Sequence, residues 1–352
     1  MKRWMLSAGL IIISGLGFAA PASAQASTTA TTTLSSGKPV KVSISKVGQN
    51  VKYAFAATVN KNVTFNVTNF NFSDNGSGGG IYLNFYEPGS NSSYTNSYFS
   101  SNGYYNFTPP EGGTWTLVVS PYSDSRGSMT LTFANDVPNQ ALTSAKPVST
   151  TIAYSGQYAT YTFNATVNKN VTFNVTKFNF SDNGSGGGIY LYFNEPGSNS
   201  SYTNSYFSSN GYYNFTPPQS GTWSIVLVPY SASTGSLTLT FANDVPNQAL
   251  SAGKPVSTVI TYSGQYAGYT FGASGNKTYN FNVAKFNFTD NGSGGGIYLY
   301  FYEPGTSSSY TNCYFDSNGK CSFKTPAGSG GTWSIALVPY SASVGSLTLT
   351  LN

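Results

Sequence analysis

From residue 37 onward the chain is one unit written three times. Asn75-Gly76-Ser77-Gly78-Gly79-Gly80-Ile81-Tyr82-Leu83 returns at 183–191 and again at 291–299, a period of 108 residues. Gly-Thr-Trp recurs at Gly113-Thr114-Trp115, Gly221-Thr222-Trp223 and Gly331-Thr332-Trp333, the third copy being lengthened around Ala327-Gly328-Ser329-Gly330. Solenoid repeats run to about 20–50 residues, whereas a unit of this size can enclose a core of its own. The chain therefore divides into a first repeat at 37–136, a linker plus second repeat at 137–244, and a linker plus third repeat at 245–352.

Within a copy the apolar residues alternate. In the second, Val171-Phe173-Val175, Trp223-Ile225-Leu227 and Leu237-Leu239-Phe241 each hold one face, and Ile189-Leu191-Phe193 stand opposite Tyr190 and Tyr192. Turn residues separate the runs: Asp182-Asn183-Gly184, Glu195-Pro196-Gly197, Asn210-Gly211, Pro217-Pro218 and Thr234-Gly235. This spacing predicts an all-β chain of three tandem antiparallel jelly-roll-like β-sandwich domains, about eight strands each. Asn135–Leu142 and its copy at 243–250 carry a proline and no Gly/Ser run. They read as semi-rigid spacers between units that touch little.

Composition narrows the chemistry. Charged residues are 8% of the chain, against about 25% in ordinary soluble proteins. With no histidine, His-based general bases, Ser-His-Asp triads and His-ligated metals are excluded. Arg3 and Arg126 are the only arginines, and no basic cluster suggests a nucleic-acid partner. Lys2 and Arg3, the apolar run Met5–Ala20 and Pro21-Ala22-Ser23-Ala24 form the pattern of a signal peptide at 1–24, followed by a Ser/Thr-rich leader at 25–36. The expected protein is exported, whether secreted, periplasmic or at the cell surface, with no membrane span. In that compartment Cys313 and Cys321, flanking the turn Asp316-Ser317-Asn318-Gly319, are expected to form a disulfide that staples a hairpin.

One order of motifs runs through the copies: Gly-Gln-Tyr-x-x-Tyr-Thr-Phe, Asn-Val-Thr-Phe-Asn-Val, Ile-Tyr-Leu-Tyr-Phe, Glu-Pro-Gly, Gly-Thr-Trp-Ser-Ile-Val-Leu-Val-Pro-Tyr, then Thr-Gly-Ser-Leu-Thr-Leu-Thr. It resembles the bacterial pre-peptidase C-terminal domains, to which the collagen-binding domains of collagenases are similar. The resemblance implies a jelly-roll sandwich that serves secreted peptidases as a noncatalytic module. It also implies calcium ligands in the linkers, where Asp136 and Asn139, then Asp244 and Asn247, fall on the family's pattern.

Few ionisable residues recur in all three copies. Asp74, Asp182 and Asp290 open the glycine-rich loop, read either as a mobile turn that tolerates positive φ or as a weak calcium or anion site. Glu87, Glu195 and Glu303 begin Glu-Pro-Gly turns, so paired-carboxylate catalysis is not expected. Trp115, Trp223 and Trp333 lie in phase with inward residues and read as core. Tyr82, Tyr190 and Tyr298 face away from the apolar row, and Tyr94-Tyr98, Tyr202-Tyr206 and Tyr310-Tyr314 lie in Ser/Asn/Thr-rich segments. These nine tyrosines read either as a ligand-binding surface or as strand decoration packed under loops. The expected function is noncatalytic binding of an extracellular polysaccharide or matrix protein, with no cofactor required. The alternatives are a structural protein of envelope or matrix and an accessory module of a separately encoded secreted peptidase.

Overall fold

The structure, a computed structural model, describes residues 31–74, 77–182, 184–290 and 293–352. The expected signal peptide lies outside the described residues. The first unit contains β1 (Thr32–Thr33), β2 (Pro39–Ile44), β3 (Val51–Ala57), β4 (Val63–Asp74), β5 (Ser77–Gly78), β6 (Gly80–Tyr86), β7 (Ser93–Phe99), β8 (Gly103–Phe107), β9 (Gly113–Tyr122) and β10 (Arg126–Asn135). One sheet has the order β1-β3-β9-β6-β7; the other runs β2-β10-β4-β5, with β8 also paired to β4. The second and third units repeat both orders, so the chain is three tandem β-sandwiches, as the alternation predicted.

Each unit has its own cluster of buried residues between its sheets. In the first, Phe55, Phe65, Phe85 and Trp115 are wholly buried, and Phe55 meets Phe65 edge-on with ring centroids 4.9 Å apart. Period-two alternation along β9 puts Trp115, Leu117 and Val119 inside while Thr116 and Ser120 face outward. The indole N–H of Trp115 donates to the Glu111 carbonyl at 3.2 Å, which removes the cost of burying it. Trp223 and Trp333 are buried in the same way.

Two expectations from sequence fail at the joints. The supposed spacer Val137–Ala141 is itself a strand, pairing in parallel with Ala159–Ala165 of the second unit; Val245–Ala249 does the same in the third. A proline is tolerated there because the strand is at the sheet edge. These parallel edge strands make the sheets not purely antiparallel, and with the two-residue β5 they bring the strand count above eight.

The units also touch. Asn62 Nδ2 of the first donates to the Gly156 carbonyl of the second at 2.9 Å, Thr64 Oγ1 to the Ser155 carbonyl at 2.6 Å, and the Tyr104 hydroxyl to the Ser231 carbonyl at 2.7 Å. The second joint repeats these bonds from Asn170, Thr172 and Tyr212 to Gly264, Ser263 and Ser341. Polar residues that look like solvated strand positions in the sequence are therefore contacts between units.

The disulfide forms, in a different setting from the expected hairpin. Cys313 lies on the edge strand Ser309–Phe315 of one sheet, and Cys321 on Gly319–Lys324, which pairs with Thr278–Asp290 of the other. The turn between them carries the chain across the sandwich, so the bond ties the two layers together. Tyr105 occupies the corresponding place in the first unit, its hydroxyl bonded to Thr95 Oγ1 at 2.6 Å; in the second, Tyr213 reaches Thr203 at 3.3 Å. Replacing both cysteines by serine should destabilise the third unit by roughly 2–3 kcal/mol, the chain-entropy value for so short a loop. Denaturant titration of the whole chain, read by limited proteolysis, should show the other two units unmoved.

Candidate functional site

The outer face of the β3-β9-β6-β7 sheet carries a group of tyrosine rings, two exposed and one half-buried. Strand pairing sets Tyr82 of β6 directly opposite Tyr98 of β7, with ring centroids 5.3 Å apart. Tyr122, at the end of β9, completes a triangle 6.2 Å from Tyr82 and 5.7 Å from Tyr98. The second unit repeats it with Tyr190, Tyr206 and Tyr230 at 4.9, 6.4 and 6.1 Å. The third does so with Tyr298, Tyr314 and Tyr340 at 5.0, 6.4 and 6.2 Å. The outermost members are about half exposed: Tyr122 50%, Tyr230 54% and Tyr340 55%. Sequence reading missed these three, although alternation from the buried Trp115 assigns Tyr122 to the outward face.

The remaining predicted tyrosines play a different part. Tyr94, Tyr202 and Tyr310 are exposed, but each sets its ring edge-on to the core tryptophan of its unit, at 5.5, 5.8 and 5.6 Å. They cover the open edge of the core and stand apart from the triad contacts.

The glycine-rich loop does admit positive φ, at Gly184 (φ 85°) in the second unit, and it has a further role. Gly79 and Gly80 are not among the glycines with positive φ. Their hydrogens are needed for space instead: a Cβ on Gly80 would overlap the Tyr98 ring, and one on Gly79 would lie 2.6 Å from the Ser73 backbone nitrogen. The Gly80 N–H donates to the buried Ser125 Oγ at 3.0 Å, and that hydroxyl donates to the Tyr122 carbonyl. The loop thus seats one triad ring and is tied to the residue bearing another.

The acidic candidates are not brought together. Asp136 Oδ1 accepts from Asn62 Nδ2 and from the Tyr158 N–H, both at 2.9 Å, which places it at the first joint. Asp244 does the same at the second joint with Asn170 Nδ2 at 2.8 Å and the Tyr266 N–H at 2.9 Å. Asn139 and Asn247 are exposed on the edge strands. Asp74 ends β4, paired with Ser77. Asp182 lies near the preceding unit's Tyr104, whose phenol pKa is raised by burial, then by Tyr158 and by this carboxylate; Asp290 stands likewise to Tyr212. Calcium takes six to eight oxygens. Here the linker carboxylates face N–H donors, and among the described residues no three His, Cys, Asp or Glu group together. This donor set does not fit a calcium ion.

Burial raises the Asp136 pKa to about 6, against the opposing hydrogen bonds from Asn62 and Tyr158 and the charge of Lys61. Burial likewise raises that of Asp244. Among the described residues no helix is long and apolar enough to cross a membrane.

No family model and no curated protein matches the chain. Solved structures do. The pre-peptidase C-terminal domain of a Bacillus anthracis collagenase is 16% identical, spans 31% of this chain and all of its own, and has a TM-score of 0.24. The periplasmic inhibitor of g-type lysozyme from Aeromonas hydrophila is 15% identical over 30% of this chain and all of its own, with a TM-score of 0.22. A triple jelly-roll protein of an archaeal virus is 12% identical over 90% of this chain and 89% of its own, at a TM-score of 0.18. The first of these is a domain of the kind the motif order resembles.

Two outcomes are expected. Gly187→Ala meets the Ser181 backbone at 2.7 Å and should cost about 1–3 kcal/mol. Gly188→Ala meets first the movable Tyr206 ring and should displace it with little loss of stability. Denaturant midpoints and Tyr206 ring resonances separate the two effects. For Asp136, the folded form keeps a proton that the unfolded chain loses above its ordinary pKa of 3.8. Stability is therefore fully present below that value and lost as pH rises through about 6, by up to about 3 kcal/mol. Calorimetry at low and neutral pH should show this trend, and Asp136→Asn should flatten it.

Proposed function

We propose that this is an exported, noncatalytic binding protein whose tandem units engage an extracellular polymer, polysaccharide or matrix protein, through the tyrosine triads. The observation that carries this reading is the triad itself, kept at matching ring distances on the same sheet face of all three units. Tyrosines fixed on a sheet offer apolar area and a hydroxyl at small entropic cost. Three weak sites joined by built joints gain avidity on a repeating target. Export is supported by the leader pattern and by the disulfide. The recurring carboxylates stand in turns and at joints, and the chain has no histidine to move a proton.

A second reading, self-assembly into envelope or matrix, is favoured by the edge strands Ser93–Phe99, Ser201–Phe207 and Ser309–Phe315, which carry no charge to guard them. One experiment addresses both readings. Full-length mature protein should be retained on insoluble polysaccharide or collagen, and alanine at the outer tyrosines of two triads should weaken retention by about 10²-fold or more. Unchanged retention defeats the triad reading. Sedimentation of the protein alone as fibres, with retention unaffected, favours assembly.

A further inference from the structure

The second joint encloses a cleft of about 710 Å³, within the ~300–1,000 Å³ range of small-molecule sites. Its walls come from two units: Asn164–Thr166 and Asn168–Asn170 of the second, and the edge strand, Tyr266–Tyr269 and Tyr302 of the third.

The period of the chain shows what opens this space. At the first joint Thr160 and Val226 face each other across two strands; at the second their places are taken by Gly268 and Ala336. The Asn247 side chain lies over Gly268, where a Cβ would stand 2.0 Å from its Oδ1. A third exchange puts Tyr302 where the second unit has Asn194. The joint has thus exchanged a threonine side chain for the Asn247 amide and a valine for an alanine in its floor, and gained an aromatic wall.

Tyr302 also completes a row. Tyr298, Tyr300 and Tyr302 alternate along one strand on the outward face, with Tyr298 and Tyr300 at 5.5 Å and nearly parallel. The corresponding residues are Tyr82, Asn84 and Tyr86 in the first unit and Tyr190, Tyr192 and Asn194 in the second. Because Tyr298 belongs to the third triad, only there do three tyrosines in sequence connect a triad with a cleft.

The lining fixes the ligand chemistry. Lys169 and Asp244 are its only charged residues and cancel, while Asn168, Asn243 and Asn247 supply both donors and acceptors. The Tyr266 hydroxyl is held by Asn214 Nδ2 at 3.0 Å. Amides, balanced charge and tyrosine faces suit a ring with apolar C–H faces and many hydroxyls.

We propose that this cleft is a binding site for a neutral oligosaccharide, which continues along Tyr300 and Tyr298 to the third triad. The proposal rests on the reading of the triads as polymer-binding surfaces, and it selects polysaccharide over protein for the third unit.

The test uses the full mature chain on an array of defined neutral and charged hexasaccharides. Gly268→Thr with Ala336→Val, and separately Tyr302→Asn, install residues that the second unit already carries, so the fold is kept; melting curves verify this. The expected result is retention of at least one neutral hexasaccharide, weakened about tenfold or more by each cleft variant. Retention that falls with Tyr314→Ala/Tyr340→Ala while the cleft variants bind like the parent overturns the cleft and leaves the triad reading standing. Retention of charged hexasaccharides only, or of none, also overturns it.

Discussion

A carboxylate that takes a donor from each of two units stands at each joint of this chain, and what surrounds it determines how the rest is arranged. Asp136 takes an amide from the unit before and a backbone N–H from the unit after, and Asp244 repeats the arrangement. The residue that follows enters the next sheet at once, so a single position lies between consecutive sandwiches. Such a joint fixes orientation at a cost: a buried charge is tolerated only while its donors stay in place. The tyrosine face of each unit is thereby given a set direction relative to its neighbour's.

The open edge of each sandwich is closed in more than one way. A tyrosine hydroxyl reaches across to a threonine in the first two units, and a disulfide does so in the third. The geometry is shared and the chemistry exchanged. The same holds at the joints, where the hydrogen bonds persist while Gly268, Ala336 and Tyr302 alter the surface above them. Repetition conserves what holds the fold, and divergence falls on the faces.

Much of this was legible in the sequence. The alternation of Trp223-Ile225-Leu227 and its relatives specified sandwiches, because a period of two along a strand leaves one face to bury. Tyr82 and Tyr98 could be assigned outward by the same logic. Tyr122 could have been, but it follows a proline at the end of a strand whose apolar run drew the eye inward. The joints were not legible. Asn62 and Gly156 are 94 residues apart, and an asparagine on a strand looks alike whether it faces water or another unit. The cysteines misled for a related reason: an Asn-Gly turn fits a hairpin and a crossing between layers equally, and only the long-range pairing of each strand decides between them.

The joints carry one more consequence. Asn62, Thr64 and Tyr104 at the first, and Asn170, Thr172 and Tyr212 at the second, engage equivalent partners through equivalent atoms. Head-to-tail contacts that repeat without closing generate a screw. The relation of the second sandwich to the first is therefore repeated between the third and the second, and so is the relation between their aromatic faces. A longer chain of the same units would extend the array without any new kind of bond.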